Sequence, residues 1–234
     1  MANIPFHNRF LFALKYAILS FKENLICLLV YGIPYRMIWV ELGLMILYPF
    51  LSPYRINLQY ISKNKLDQSY IFGETPLTTL EKICRWSCIP KGKVIFDVGC
   101  GWGRSTFFLH MFNKAHRTVG IDLIPEYIDR ANKIRSFMKL DYMVFLESDI
   151  RQVDYRDAEV IYMYGTCFPE KFIQEMVDVW EKDLQEDTLI LTTSYSLDSF
   201  SKNKRIQLID HIVFDYLWGT CTVFLHRIVH IENL

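Results

Sequence analysis

The chain has 234 residues, with 26 basic and 26 acidic side chains balancing to a formal net charge of zero. Hydrophobic residues make up 51% and charged residues 22%, which excludes a disordered polymer and gives no bulk electrostatic attraction to nucleic acid. The length suits one full α/β domain plus an extension.

Residues 1–52 read as an apolar helical extension. Phe10 to Val30 is interrupted by Lys15, Lys22 and Glu23, Met37 to Leu51 only by Glu41, and Pro34 and Arg36 separate the two. The pattern predicts a helical hairpin. The first half carries mid-segment charges and the second falls short of the ~20 residues a membrane-crossing helix needs. Two readings stay open: the hairpin packs on the catalytic domain or a second copy of the chain, or it lies in a membrane interface as a peripheral contact. Residues 53–68, with Pro53, Asn57, Ser62, Asn64 and Asp67, read as a polar linker, and residues 69–234 as the main domain.

Thr78 and Glu81, three apart, predict a capping box opening a helix whose face is Leu80, Ile83, Cys84 and Ser87. Strands and helices then alternate. Strands are expected at 94–98, 117–121, 142–146, 160–164 and 188–193. Helices are expected at 104–112, from Pro125 through Met138, and at 169–184. Residues 206–214 and 221–231 read as an antiparallel hairpin joined through Trp218, Gly219 and Thr220. Such alternation predicts a doubly wound, mostly parallel α/β sheet of seven strands closed by that hairpin. The six cysteines show no paired metal-ligand spacing, so no metal is expected. They read as free thiols of a reducing, intracellular compartment. No secretory cleavage signal is recognised.

The chemistry concentrates at Val94–His110, VIFDVGCGWGRSTFFLH. A strand runs into Asp97, then Gly99, Gly101 and Gly103 alternate before a helix. Glycines let the backbone approach a ligand, and the helix N-terminus offers free N–H groups. A dinucleotide loop wants its third glycine one residue later and a diphosphate at the helix end. Here Arg104 takes that place, and Asp97 would repel a diphosphate while suiting a cationic ligand. Asp122, 19 residues past Gly103 at the end of the next strand, is placed to accept from ribose hydroxyls. Asp149, at the end of the strand after, is placed near an adenine amino group. Adenosine, positive charge and no diphosphate together describe S-adenosylmethionine.

In these residues the sequence resembles the class I S-adenosylmethionine-dependent methyltransferases, from about Tyr70 onward. Three pieces resemble the non-SET histone lysine methyltransferases of the disruptor-of-telomeric-silencing type: Phe72-Gly73-Glu74, Val160–Met163 running into Cys167–Glu170, and Trp218-Gly219-Thr220 followed by Val223–His226. The Asn-Asn of that family's fourth motif is replaced by Tyr164-Gly165, and its long basic tail has no counterpart. The resemblance implies a cofactor lid and site of Phe72, Gly73, Glu74, Thr75, Asp97, Gly99, Gly101, Gly103, Asp122, Leu123, Asp149 and Ile150. It also implies an acceptor slot built around Tyr70, Tyr164 and Trp218, with Phe72 and Phe168 as further aromatic walls. The expected function is methyl transfer to a protein lysine, leaving S-adenosylhomocysteine. The alternatives are a small-molecule or lipid methyltransferase at a membrane, and a non-catalytic S-adenosylmethionine-binding module.

Overall fold

The computed structural model describes residues 36–48, 52–66, 70–216 and 219–230. The hairpin partner expected at 10–30, and Trp218, lie outside the described residues. Seven strands form one sheet in the order β3-β2-β1-β4-β5-β7-β6: β1 (Val94–Val98), β2 (Arg117–Asp122), β3 (Met143–Glu147), β4 (Val160–Tyr164), β5 (Leu189–Thr193), β6 (Ile206–Tyr216) and β7 (Gly219–Ile228). The first five are parallel, and β7 runs antiparallel to both β5 and β6. β1, β4 and β5 are near-continuous apolar runs because both their faces are covered.

The helices are α1 (Arg36–Leu47), α2 (Pro53–Asn64), α3 (Leu77–Trp86), α4 (Arg104–Phe112), α5 (Pro125–Phe137) and α6 (Glu170–Asp183). One apolar cluster joins α1, α3, α4 and α5 over one face of the sheet through Val40, Leu44, Leu80, Phe107, Ala131 and Ile134. A second lies under α6 on the other face, with Trp180, Met176, Ile173 and Ile161 fully buried. β3 and β4 are joined without an α-helix, by a single 3₁₀ turn at Ile150–Gln152.

Three expectations change. Residues 53–64 are a helix and not a linker. Ser52 caps it through Arg55 N, Pro53 fills the first turn with its preset φ, and Lys65 ends it in the left-handed region. The Thr78–Glu81 capping box does not form: the helix starts at Leu77 with Pro76 in the cap position, and Glu81 pairs with Arg85 one turn on. Tyr216 pairs directly with Gly219, so Gly219 and Thr220 belong to β7 and not to the turn.

α1 packs through Met37, Val40, Leu44 and Tyr48, while Ile38, Trp39, Leu42, Met45 and Ile46 face outward. Gly43 lets α1 approach Ile134 closely, and Arg36 donates to the Met138 carbonyl at 2.8 Å. Twelve residues rise about 18 Å. Among the described residues no helix is long and apolar enough to cross a membrane.

Phe107 is fully buried and its ring lies 5.2 Å from that of Phe145, joining α4 to β3. We expect Phe107→Ala to lower the unfolding free energy by about 3–5 kcal/mol, read from the shift of a urea transition. A cost below about 1 kcal/mol would mean this layer is not close-packed.

Candidate active site

The sheet order reverses between β1 and β4, so the strand ends there open a crevice, where open α/β sheets bind ligands. Gly99 follows β1, Asp122 ends β2, Ser148 follows β3 and Tyr164 ends β4; all four line one cleft with Asn57, Tyr70, Phe72, Gly101, Tyr127, Phe168 and Phe172. The cleft encloses a cavity of ≈ 100 Å³ and opens to solvent. A smaller pocket, of ≈ 20 Å³, is lined by residues 72–75 together with Asp97, Arg104, Ser105 and Tyr162 among others.

Asp97 is buried and accepts from Ser105 Oγ at 2.7 Å and Thr106 Oγ1 at 2.6 Å, in the first turn of α4. Burial pushes its pKa up to about 6, against the pull of the two hydroxyls. Asp122 accepts from Gly101 N at 2.8 Å and Ile124 N at 3.0 Å, so the residue expected to meet ribose also shapes the glycine loop. Burial likewise raises it to about 6.

Gly101 has φ of +53°, and a Cβ there would stand 2.6 Å from the ring of Phe72. Only glycine admits both that backbone and the closed lid. Gly73 is flush against Tyr164, where any Cβ would overlap the ring. Gly103 instead lies against Phe145 and Ala131, where it lets α4 and the sheet meet.

The lid is anchored by residues that motif reading overlooked. Asn57 of α2 is buried; its Nδ2 donates to the Tyr70 carbonyl at 2.7 Å, and its Oδ1 accepts from Phe72 N at 2.9 Å. Glu74 accepts from the Arg104 guanidinium at 2.7 Å, and Arg104 also reaches Glu41 of α1 at 2.7 Å. Glu74, expected to meet the cofactor, is thus engaged with Arg104. Thr75 turns into the protein and shares a hydrogen with the Tyr162 hydroxyl at 2.6 Å. Tyr48 meets Trp102 of the glycine loop edge to face at 5.2 Å, and Tyr127 donates to the Pro53 carbonyl at 2.5 Å.

Asp149 departs from expectation in part. It lines the cleft, yet its carboxylate is held two-pronged by Arg151, which lowers its pKa and leaves Arg151 over the ring of Phe172. Leu123 and Ile150 line the cleft as apolar walls. Polar partners so far apart in sequence leave no periodic signal. Asn57 read as one polar residue of an expected linker, with nothing to mark it as a partner of the lid.

The donor set fits S-adenosylmethionine. No Lys or Arg among the described residues lines the outer cleft to meet a diphosphate, and Asp122 stands there with acceptor oxygens. Gly99 has nothing within 4 Å of where a Cβ would be, so its backbone is open to a ligand.

A folded-state pKa near 6 for Asp97, against the ordinary 3.8, means the fold holds a proton that the unfolded chain releases. That contribution is complete below about pH 4 and is lost as pH rises to about 6. We expect Asp97→Asn, which keeps an acceptor for Ser105 and Thr106, to flatten the fall in ligand-free stability over this window. Equal pH slopes of the urea midpoint in both proteins would contradict the assignment.

A family model described as a methyltransferase domain matches residues 89–205, half of the chain. No curated protein matches the sequence. Among solved structures, an RNA methyltransferase from Salinibacter ruber in complex with S-adenosyl-L-homocysteine is 21% identical, with a TM-score of 0.54, covering 69% of this chain and 99% of that one. Magnesium protoporphyrin IX methyltransferase from Synechocystis with bound S-adenosylmethionine is 10% identical, with a TM-score of 0.56, over 76% and 98%. A tRNA methyltransferase from B. subtilis is 13% identical at a TM-score of 0.56, over 67% of each chain. At these identities the likeness is one of fold. With the family match, the strand order and the cleft chemistry together, the chain belongs to the methyltransferase-domain family, as an S-adenosylmethionine-dependent enzyme.

Proposed function

We propose that the enzyme methylates the side chain of a protein lysine. The observation that carries this reading is the shape of the cleft mouth. Tyr70 on the lid lines the cleft together with Tyr164 at the end of β4 and Phe168 and Phe172 beyond it, the Phe168 and Phe172 rings stacked 4.5 Å apart. The contact of Gly73 with Tyr164 narrows the passage. Aromatic walls around a narrow slot suit the alkyl stem of lysine.

The bound cofactor supplies an electrophilic methyl group. The protein's own part is to align the acceptor and exclude water, which is where most of the rate of such a displacement arises. An amine must arrive neutral, and desolvation between aromatic rings lowers an ammonium pKa. Burial raises the Tyr164 pKa well above its ordinary value, so its hydroxyl stays neutral and serves as a hydrogen-bonding guide.

A second reading rests on the outward face of α1. Trp39, Met45 and Ile46 are 54%, 70% and 73% exposed, and Ile38 and Leu42 join them on the same outward face, which favours a lipid or small-molecule acceptor met at a membrane surface.

The two separate in one experiment. We expect radiolabelled S-adenosylmethionine, incubated with the enzyme and a cell lysate, to leave acid-stable label on protein, recovered as methyl-lysine after hydrolysis. Label confined to the organic phase would refute the lysine acceptor and uphold the lipid one. We further expect Phe168→Ala to raise KM for the acceptor severalfold while leaving KM for S-adenosylmethionine nearly unchanged.

A further inference from the structure

The segment matched by the family model begins at residue 89, yet the cofactor lid at residues 70–75 is fastened from further upstream. We propose that α1 and α2 form the latch of the cofactor lid, with Asn57 as its positioning residue and Glu41 as the support acting through Arg104. The inference rests on the reading of the cleft as an S-adenosylmethionine site.

Asn57 engages the lid backbone in a strand-like manner, donating to one carbonyl and accepting from the amide two residues on. Its side chain is buried and both bonds are at least partly shielded from water, where leaving a partner unsatisfied is costly. The two bonds fix the backbone on either side of Ile71 and so set where the ring of Phe72 stands over Gly101. At the other end of the lid Glu74 meets the guanidinium of Arg104. Arg104 is the first residue of α4 and is itself held by Glu41. Both fastenings lead to the extension, one to each helix. Neither Asn57 nor Glu41 needs to touch the cofactor for this role; each acts through the lid or the residue that holds it.

A latch of this kind makes two measurable statements. In the ligand-free protein the amide of Phe72 is protected from hydrogen exchange because it donates to Asn57. In the loaded protein the lid costs less to order, so the cofactor binds more tightly than it would to a loose lid.

The test uses the full chain and the variants Asn57→Leu, Asn57→Asp and Glu41→Gln. Hydrogen exchange followed by mass spectrometry reads residues 70–75, and calorimetry reads the Kd for S-adenosylhomocysteine. We expect Asn57→Leu to speed exchange at Phe72 and to weaken binding about tenfold, the loss that one to two buried hydrogen bonds imply. Asn57→Asp keeps the acceptor for Phe72 N–H but loses the donor to Tyr70, so it should retain Phe72 protection better than Asn57→Leu. Glu41→Gln should loosen residues 73–75 more than residues 70–72. Unchanged exchange and unchanged Kd in a folded Asn57→Leu protein would overturn the latch. If Asn57→Leu does not fold, Asn57→Ala, which also removes both bonds, and Glu41→Gln carry the same test, and wild-type exchange at both of their sites would overturn it. Wild-type protein that fails to bind S-adenosylhomocysteine would instead refute the cofactor reading, and the exchange data would still judge the latch.

Discussion

The buried guanidinium of Arg104 is the constraint on which the site depends. A fixed positive charge with a side chain 4% exposed survives only beside negative partners, and among the described residues Glu41 and Glu74 stand beside it. They come from different parts of the chain, one from α1 and one from the lid. Breaking a buried arrangement of this kind by removing one partner typically costs about 3–5 kcal/mol, because the remaining charge is stranded. Satisfying Arg104 therefore forces the extension, the start of α4 and the lid into one arrangement. Gly103, directly before Arg104, sets the entry to the helix with a φ of +88°. The ordinary dinucleotide fold places a glycine where Arg104 stands. Here the same point of the loop is used to brace the protein from within.

That brace reassigns the N-terminal helices. By composition they look like an appendage and a linker. In the fold α1 covers α4 and α5, Tyr48 touches the glycine loop through Trp102, and α2 carries Asn57 into the cleft. The polar residues that made 53–64 look like linker are those of a helix with one face on the site and the other in solvent. α1 remains apolar on both faces. Its inner face is spent on the core, and its outer face is the feature that keeps a membrane-surface acceptor in contention.

What was legible in the sequence was local. β1, α4 and β4 stand at the bounds their patterns predict, because an apolar run, a glycine turn and a helical period are each written within a few residues. Asp122 was legible because its distance from the loop is set by one helix and one strand. The glycine loop's own turns were legible too, because three glycines between a strand and a helix write a tight loop locally. Illegible were the pairings that cross 15 to 63 residues, such as Phe72 with Asn57 and Arg104 with Glu41. They depend on tertiary placement and leave no period. Glu74 and Asp149 illustrate the same limit from the other side: both carboxylates are engaged by arginines, the buried Arg104 and the part-exposed Arg151, that no local pattern announces.

On the proposed reading Asp122, the open backbone at Gly99 and the pocket beside Asp97 together hold S-adenosylmethionine. The most direct measurement is a crystal structure of the full chain with S-adenosylhomocysteine. We expect ribose hydroxyls on the Asp122 carboxylate, the amino-acid end in the pocket beside Asp97, and Phe72 closed over the ligand. A ligand bound away from the strand ends, or an adenosine moiety with Asp122 left unengaged, would contradict it.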